Sequence, residues 1–372
     1  LARPRAALLP PRVWHSTWGQ EKNLVGRLAE RFDIDVLDLV DFGRRHDKAG
    51  RNFFPPPPGV RIIERPTPPG LILQGLYQEL ANGLRLLLGG YDLLITYLTT
   101  GGVLAALAAR LRGTKVLLIY ADDYVEFYAH KSRLAGRLTA RLANPLVARL
   151  AQAAVATARL LAEDLRPFHP GISHVPNGVE AARLAQVPAK SGGPFRVGFV
   201  GGFGHWVDFE SLLEAAGRLP DTEFRLVGGG DRFEELAGLS QGLANVSLTG
   251  QVDYDRVLVE LAGLDVCLIP FKVNRLTDRV SPIKLFEYWA AGRPVIASPA
   301  REIRETAGRD GALYYDDGPS LARAIERLRA EPELGAGLAA AGRARLQAHD
   351  WSVLIEKYWT ILAGLGFGPQ TS

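Results

Sequence analysis

Short apolar runs alternate with helix-patterned segments along the whole of this 372-residue chain, in two successive series. The first series is "RAALLP", "DIDVLDL", "VRIIER", "DLLITYL", "KVLLIY", "AAVATA" and "SHVP"; the second is "FRVGFVG", "EFRLVG", "NVSLTG", "DVCLIPF", "RPVIAS" and "ALYYD". Helical spacing fills the intervals, as at 20–31, 74–88, 102–112 and 131–151. Continuously apolar strands are buried on both faces, which calls for parallel sheets sandwiched between helices. Two series, in a chain too long for one ordinary domain, predict two doubly wound, Rossmann-like α/β domains. The turn to Pro, Gly and small residues in "VPAKSGGP" (187–194) puts the joint there. The expected domains are 1–187 and 188–350, followed by a C-terminal helix in 351–372. "NFFPPPPGV" (52–60) and "PTPPG" (66–70) suit neither a regular helix nor a central strand, so they read as a rigid loop.

The charge is unevenly spread. Residues 1–180 carry 23 Lys and Arg against 16 Asp and Glu, and 131–150, "KSRLAGRLTARLANPLVARL", has five basic residues and no acid. Leu134, Leu138, Leu142, Leu146 and Leu150 recur there every fourth residue, giving an apolar and a cationic face. Two readings stay open: a solvated surface helix, or an interfacial helix meeting anionic lipid or a phosphate-bearing acceptor. Nucleic acid is not expected, because no binding motif accompanies the charge. With Cys267 as the one cysteine no internal disulfide can form, which suits a reducing cytoplasm. No run of 18 apolar residues lacks charge, and "LARPRAALLPPRVW" lacks the apolar core of a secretion signal. The expected location is cytoplasmic or peripheral on the inner membrane face.

Open parallel sheets bind ligands outside the carboxyl ends of their strands. The first strand of the second series ends in "GFVGGFGHW" (198–206), whose Gly201, Gly202 and Gly204 let backbone approach an anion closely. Dinucleotide fingerprints fail: after Gly202 and Gly204 the third glycine is Val207, and after Gly228 and Gly230 it is Phe233. In "VSPIKLFEYWAAGRPVIAS" (280–298), Ser281 and Pro282 read as helix cap and first position, with Gly292 and Pro294 ending the helix. Lys284 then lies in the first turn, where the helix dipole disfavours a cation. A surface pair with Glu287 is one account; a phosphate held by Lys284 and the helix amides, with Glu287 receiving ribose hydroxyls, is the other.

The stretches "GFVGGFGHWVDFESLL" and "LIPFKVNRLTDRVSPIKLFEYWAAGRPVIAS", with "HVPNGV" before the joint, resemble GT-B-fold glycosyltransferases of the family-four type, nearest to bacterial polysaccharide enzymes such as teichuronic-acid-type and glucuronosyl transferases. The resemblance implies two Rossmann-like domains facing across a cleft, with the C-terminal helix of 351–372 crossing back to the first. It implies a metal-independent hexosyltransferase using a nucleotide diphosphate sugar, with no other cofactor and a saccharide or lipid-linked acceptor. By the same resemblance Lys284 binds the diphosphate, Glu287 the ribose, and Gly201 and Gly202 face the diphosphate. Gln251 and Val252 hold the base through their backbone, and Asn177 and Gly178 lie near the cleft. Lys272 and Ser281 flank the same motif. Many retaining members carry Glu eight residues before the second motif glutamate; this chain has Arg279 there, which suits a departing diphosphate and leaves the stereochemical course open.

The acceptor hydroxyl must also lose a proton. "LLIYADDYVEF" offers Asp122 and Asp123 at a strand end, either as a base or as a helix cap with solvated acids. His15, in the loop "RVWHSTWGQEKN", is a rival, and Trp14 and Trp18 are candidates for stacking on a sugar. "DYD" (253–255) and "DID" (33–35) imitate a metal-binding Asp-x-Asp but fall at a helix start and along a strand, so no metal site is expected. Alternatives to sugar transfer are a GT-B-fold nucleotide-sugar epimerase and a non-catalytic nucleotide-sugar-binding protein.

Overall fold

The computed structural model describes residues 2–11, 14, 19–41, 55–67, 71–97 and 99–368. The chain divides into two compact units, one of residues 1–176 with 354–372 and one of residues 177–353.

The first unit is built on a sheet of β1 (Arg5–Leu9), β2 (Asp33–Asp41), β3 (Val60–Thr67), β4 (Leu93–Thr96), β5 (Lys115–Tyr120), β6 (Ala153–Ala156) and β7 (Ser173–His174). Their spatial order is β3-β2-β1-β4-β5-β6-β7, and every pairing is parallel. The second unit orders β8 (Arg196–Val200), β9 (Glu223–Val227), β10 (Val246–Leu248), β11 (Val266–Ile269), β12 (Val295–Ala297) and β13 (Leu313–Tyr314) as β10-β9-β8-β11-β12-β13, again all parallel. In both sheets the order reverses at the first strand. The ends of β1 and β8 are therefore the topological switch points where such folds hold ligands.

Each apolar run read from the sequence coincides with or overlaps one of these strands. The central strands are buried on both sides; β4 and β11, for example, are buried at every residue. Cys267 sits wholly inside the second core, where burial raises its thiol pKa far above the ordinary value. That position suits packing and not nucleophilic chemistry.

The domain joint differs from the composition-based expectation at 187–194. That segment is fastened to the second unit: Lys190 Nζ lies 2.5 Å from Asp265 Oδ2, and Arg293 Nη2 donates to Pro188 O at 2.5 Å. The division falls earlier, between Pro176 and Asn177. At the other end, the helix Trp351–Gly364 straddles the second boundary, and residues from Leu354 onward group with the first unit.

The helix expected over 131–151 is also broken. Ser132 ends Tyr124–Lys131 and caps Arg133–Leu138, a π-helical turn follows at Thr139–Ala143, and Asn144–Leu150 completes it. Pro145 has no N–H for the carbonyl four residues back, and beside it Asn144 N reaches back five residues to Thr139 O. The expected split into apolar and cationic faces is not what forms. Gly136, Thr139, Ala143, Val147 and Ala148 are buried, while Leu134, Leu138, Leu142 and Leu146 share the exposed side with Arg133, Arg137, Arg141 and Arg149.

Candidate functional site

The carboxyl ends of β8, β9 and β10 are tied together through glycines. Gly201 N donates to Val227 O at 2.9 Å, Phe203 N to Gly229 O at 2.8 Å, and Gly228 N to Gly250 O at 3.1 Å. Gly228 has φ +137°, and a Cβ there would stand 1.9 Å from Gly201 O; a Cβ on Gly230, φ +150°, would stand 2.6 Å from Phe203 O. These two glycines are required by backbone packing alone. Gly202 is different. A Cβ on it would meet nothing closer than the Trp206 ring at 4.0 Å, so this residue borders open space and a ligand can approach its backbone.

The helix Ile283–Ala290 is bolted to that glycine loop. Tyr288, fully buried, accepts from Val200 N at 3.0 Å and donates to Val200 O at 3.3 Å, and Val200 immediately precedes Gly201. Burial raises the Tyr288 phenol pKa well above its ordinary value, so it serves these bonds as a neutral hydroxyl. The sequence reading passed over Tyr288, because only a tertiary partner distinguishes it from the other apolar residues of "LFEYW".

Pro282, not Ser281, occupies the cap position, and no side chain caps this helix. Ser281 is used elsewhere: its Oγ accepts from Asn177 N at 3.0 Å and its carbonyl accepts from Asn177 Nδ2 at 3.3 Å. Asn177 and buried Gly178 thus begin the second unit and brace the approach to the helix. Lys284 remains in the first turn, and its Nζ lies 2.7 Å from Glu287 Oε2, with side-chain exposures of 29% and 13%. The structure therefore displays the surface-pair account of this lysine. Glu287 also acts on Tyr254, whose hydroxyl pKa is raised first by burial and then by that carboxylate.

Around this core, Lys272 N donates to Trp206 O at 2.8 Å and its Nζ lies 3.3 Å from Glu210 Oε1. Glu210 also meets Arg232 at 3.1 Å, and Arg232 Nη1 donates to Val207 O at 3.1 Å. Burial pushes the Glu210 carboxyl up, but hydrogen bonds from its own backbone, Arg232 and Lys272 outweigh it and hold the pKa below the ordinary value. Arg279 ends a short 3₁₀ turn, Thr277–Arg279, and donates to Arg275 O at 3.3 Å. Gln251 is exposed and Val252 half-buried just beyond β10. The Asp-x-Asp imitation resolves into separate roles: Asp253 caps Tyr254–Ala262, and Asp255 pairs with Arg183 at 2.6 Å.

In the first unit, Asp123 follows β5 and caps Tyr124–Lys131, accepting from Val125 N at 3.1 Å and Glu126 N at 3.2 Å. It is buried, whereas Asp122 is half-exposed. Of the two, Asp122 is the more exposed carboxylate. Trp14 corrects an expectation: it is 1% exposed, its amide donates to Asp38 Oδ2 at 2.8 Å, and Lys22 Nζ lies 5.3 Å from its ring centre. It is a core residue and presents no face to a sugar. His15 and Trp18 lie outside the described residues. Asp35 of "DID" faces three guanidiniums, those of Arg61 at 2.8 Å, Arg5 at 3.3 Å and Arg85 at 3.5 Å, as a structural hub.

Comparison with known proteins agrees with this architecture. The family described as "Glycosyl transferases group 1" matches residues 194–331, and "Glycosyl transferase 4-like domain" matches 22–178. A phosphatidyl-myo-inositol mannosyltransferase of Mycolicibacterium smegmatis is 31% identical over 214 residues, covering 53% of this chain and 54% of the relative. A putative teichuronic acid biosynthesis glycosyltransferase of Bacillus subtilis is 36% identical over 107 residues, 27% of this chain and 26% of the relative. The chain thus aligns with about half the length, or less, of these curated relatives. Among solved structures, a sucrose-phosphate synthase from Thermosynechococcus elongatus superposes with TM-score 0.80 at 21% identity, covering 98% of this chain and 99% of that one. An Anabaena protein solved with UDP and glucose gives TM-score 0.74 at 16% identity, covering 97% and 100%.

Proposed function

We propose that this chain, which belongs to the GT-B glycosyltransferases of the group 1 type, moves a hexose-type sugar from a nucleotide diphosphate sugar to an acceptor hydroxyl in surface polysaccharide or glycolipid synthesis. The observation that carries the reading is the double hydrogen bond between Tyr288 and Val200. It locks the first turn bearing Lys284 to the strand that opens into Gly201 and Gly202.

The chemistry follows from charge. As the glycosidic bond breaks, the departing diphosphate gains negative charge, and donors already in place stabilise it without reorganising. Lys284, the positive end of the Ile283–Ala290 helix and the open backbone at Gly202 supply such stabilisation. Arrival of a diphosphate draws Lys284 from Glu287, leaving that carboxylate to receive ribose hydroxyls. Gln251 and Val252 hold the base, Lys272 and Arg279 add positive charge, and Ser281 with Asn177 keeps the helix start in place. With these cations, the reaction proceeds without a metal or other cofactor. Asp122 accepts the acceptor's proton, and Asp123 fixes the helix that follows it.

The acceptor is a saccharide or a lipid-linked saccharide at the inner membrane face, approached through the exposed leucines and arginines of 133–149. Among the described residues no helix is long and apolar enough to cross a membrane. The test is incubation of the purified chain with UDP-, GDP- and dTDP-hexoses, with and without lipid-linked acceptors. Acceptor-dependent release of nucleoside diphosphate supports the reading; conversion of the donor to an epimer without acceptor refutes it.

A further inference from the structure

The helix Leu71–Leu88 carries a row of leucines that the fold leaves uncovered. Leu73, Leu76, Leu80 and Leu84 are 60%, 59%, 64% and 61% exposed, and Leu87 and Leu88 follow at 40% and 76%. Their spacing of three and four residues puts them on one face, and the 18-residue helix is roughly 27 Å long at 1.5 Å per residue. An apolar row of this length is not the scatter of single exposed leucines found on any surface. The two charged side chains of the helix point elsewhere. Glu79 accepts from Gly101 N and Leu104 N, both at 2.7 Å, and Arg85 donates to Tyr91 Oη at 3.0 Å.

The topology brings a cationic surface to the same flank. Right-handed crossovers from β3 to β4, β5 and β6 all run in one direction across the sheet, which places their helices on one face. Leu71–Leu88 accordingly packs along Val103–Leu111, and that helix packs against Asn144–Leu150. Arg149 stands exposed on that last helix, and Arg133, Arg137 and Arg141 on the turns that lead into it, interleaved with Leu134 and Leu142 at 65% and 60% exposure and unaccompanied by any acid between 131 and 150. We propose that the leucine row of 71–88 is the apolar half of a lipid-binding surface whose cationic half is the arginine face of 133–149, and that its occupant is an anionic bilayer.

Leucines enter the acyl boundary while arginines keep their charged heads among phosphates. A second copy of the chain fits the same flank less well, because a two-fold contact would bring like-charged arginines together at its rim. The inference rests on the proposed function only for the choice of an anionic membrane.

Co-sedimentation of the full chain with vesicles of phosphatidylcholine, alone or mixed with phosphatidylglycerol, tests it at low and high salt. The wild type is expected to bind the mixed vesicles and to retain part of that binding at high salt, since salt screens charge but not apolar contact. The triple variant Leu76→Gln, Leu80→Gln, Leu84→Gln should lose more than tenfold in partition coefficient, with Tm and nucleotide-sugar binding unchanged. Arg133→Gln, Arg137→Gln, Arg141→Gln should remove the salt-sensitive part. Undiminished binding by the leucine variant overturns the inference and leaves the arginine surface standing. A wild type that ignores all vesicles, or a dimer that the leucine changes dissociate, overturns it as well. Sugar transfer absent while vesicle binding follows this pattern counts against the proposed function and not against the surface.

Discussion

Replacing Gly228 by alanine should break the junction of the β8, β9 and β10 ends. The new Cβ would stand 1.9 Å from Gly201 O, where real Cβ atoms keep at least 3.0 Å, so backbone must shift by 3.0 − 1.9 = 1.1 Å. No rotamer relieves this, because the obstacle is a carbonyl, and φ +137° is itself unfavourable for alanine. Such strain costs about 1–3 kcal/mol, and forced overpacking costs about as much again. A combined loss of about 3 kcal/mol lowers Tm by roughly 6–12 °C in a domain of this size. Gly202→Ala is the matched control, since its Cβ finds nothing nearer than 4.0 Å. That variant should melt with the wild type yet bind nucleotide sugar at least tenfold more weakly, because its methyl enters the donor's space. Differential scanning fluorimetry with and without donor reads both effects. A Gly228→Ala protein melting within about a degree of the wild type, where strain alone predicts more, would refute the strand-end geometry. A Gly202→Ala protein with unchanged donor affinity would refute the donor's approach to this loop.

Further outcomes follow from the same contacts. Tyr288→Phe removes both bonds to Val200 and should cost about 1–3 kcal/mol in chemical denaturation, with donor KM rising more than kcat falls. For Asp35, burial pushes the carboxyl up, but hydrogen bonds from Arg61 and Tyr91 and the charges of Arg61 and Arg5 hold the pKa below 3.8. A depressed folded-state value means stability that is present above the unfolded pKa and lost as pH falls through the folded one. Asp35→Asn should therefore be less stable at neutral pH, and its deficit should shrink as pH drops below about 3.8 in urea titrations. Transfer should survive EDTA unchanged; a loss restored by a divalent cation would contradict the charge assignment.

The sheets were readable because parallel strands are apolar at consecutive positions, a pattern with few other uses; "VCLI" and "LLIT" are buried at every residue. The joint was misplaced because Pro and Gly signal irregular backbone and not freedom: Lys190 and Arg293 pin that segment to the second unit. Trp14 was misread for a related reason. A residue leaving a strand can turn inward or outward, and its bond to Asp38 comes from tertiary structure. At Ser281 the local pattern named a cap while Asn177, 104 residues away, took the hydroxyl. Leucine periodicity in 131–150 was visible, but not that leucines and arginines share one side. The small residues Gly136, Ala143 and Ala148 allow that face to pack instead.

Lys284 carries the central claim, and its effect on donor binding tests it most directly. Lys284→Ala leaves Glu287 without its partner at 2.7 Å, so the unliganded variant melts lower for that reason alone. The informative quantity is the shift that nucleotide sugar adds. At 100 times its dissociation constant, a donor should stabilise the wild type by about 2.7 kcal/mol and the variant by far less at the same concentration. Equal shifts in the two proteins across UDP-, GDP- and dTDP-sugars, or none in the wild type, would contradict the assignment of Lys284 to the donor diphosphate.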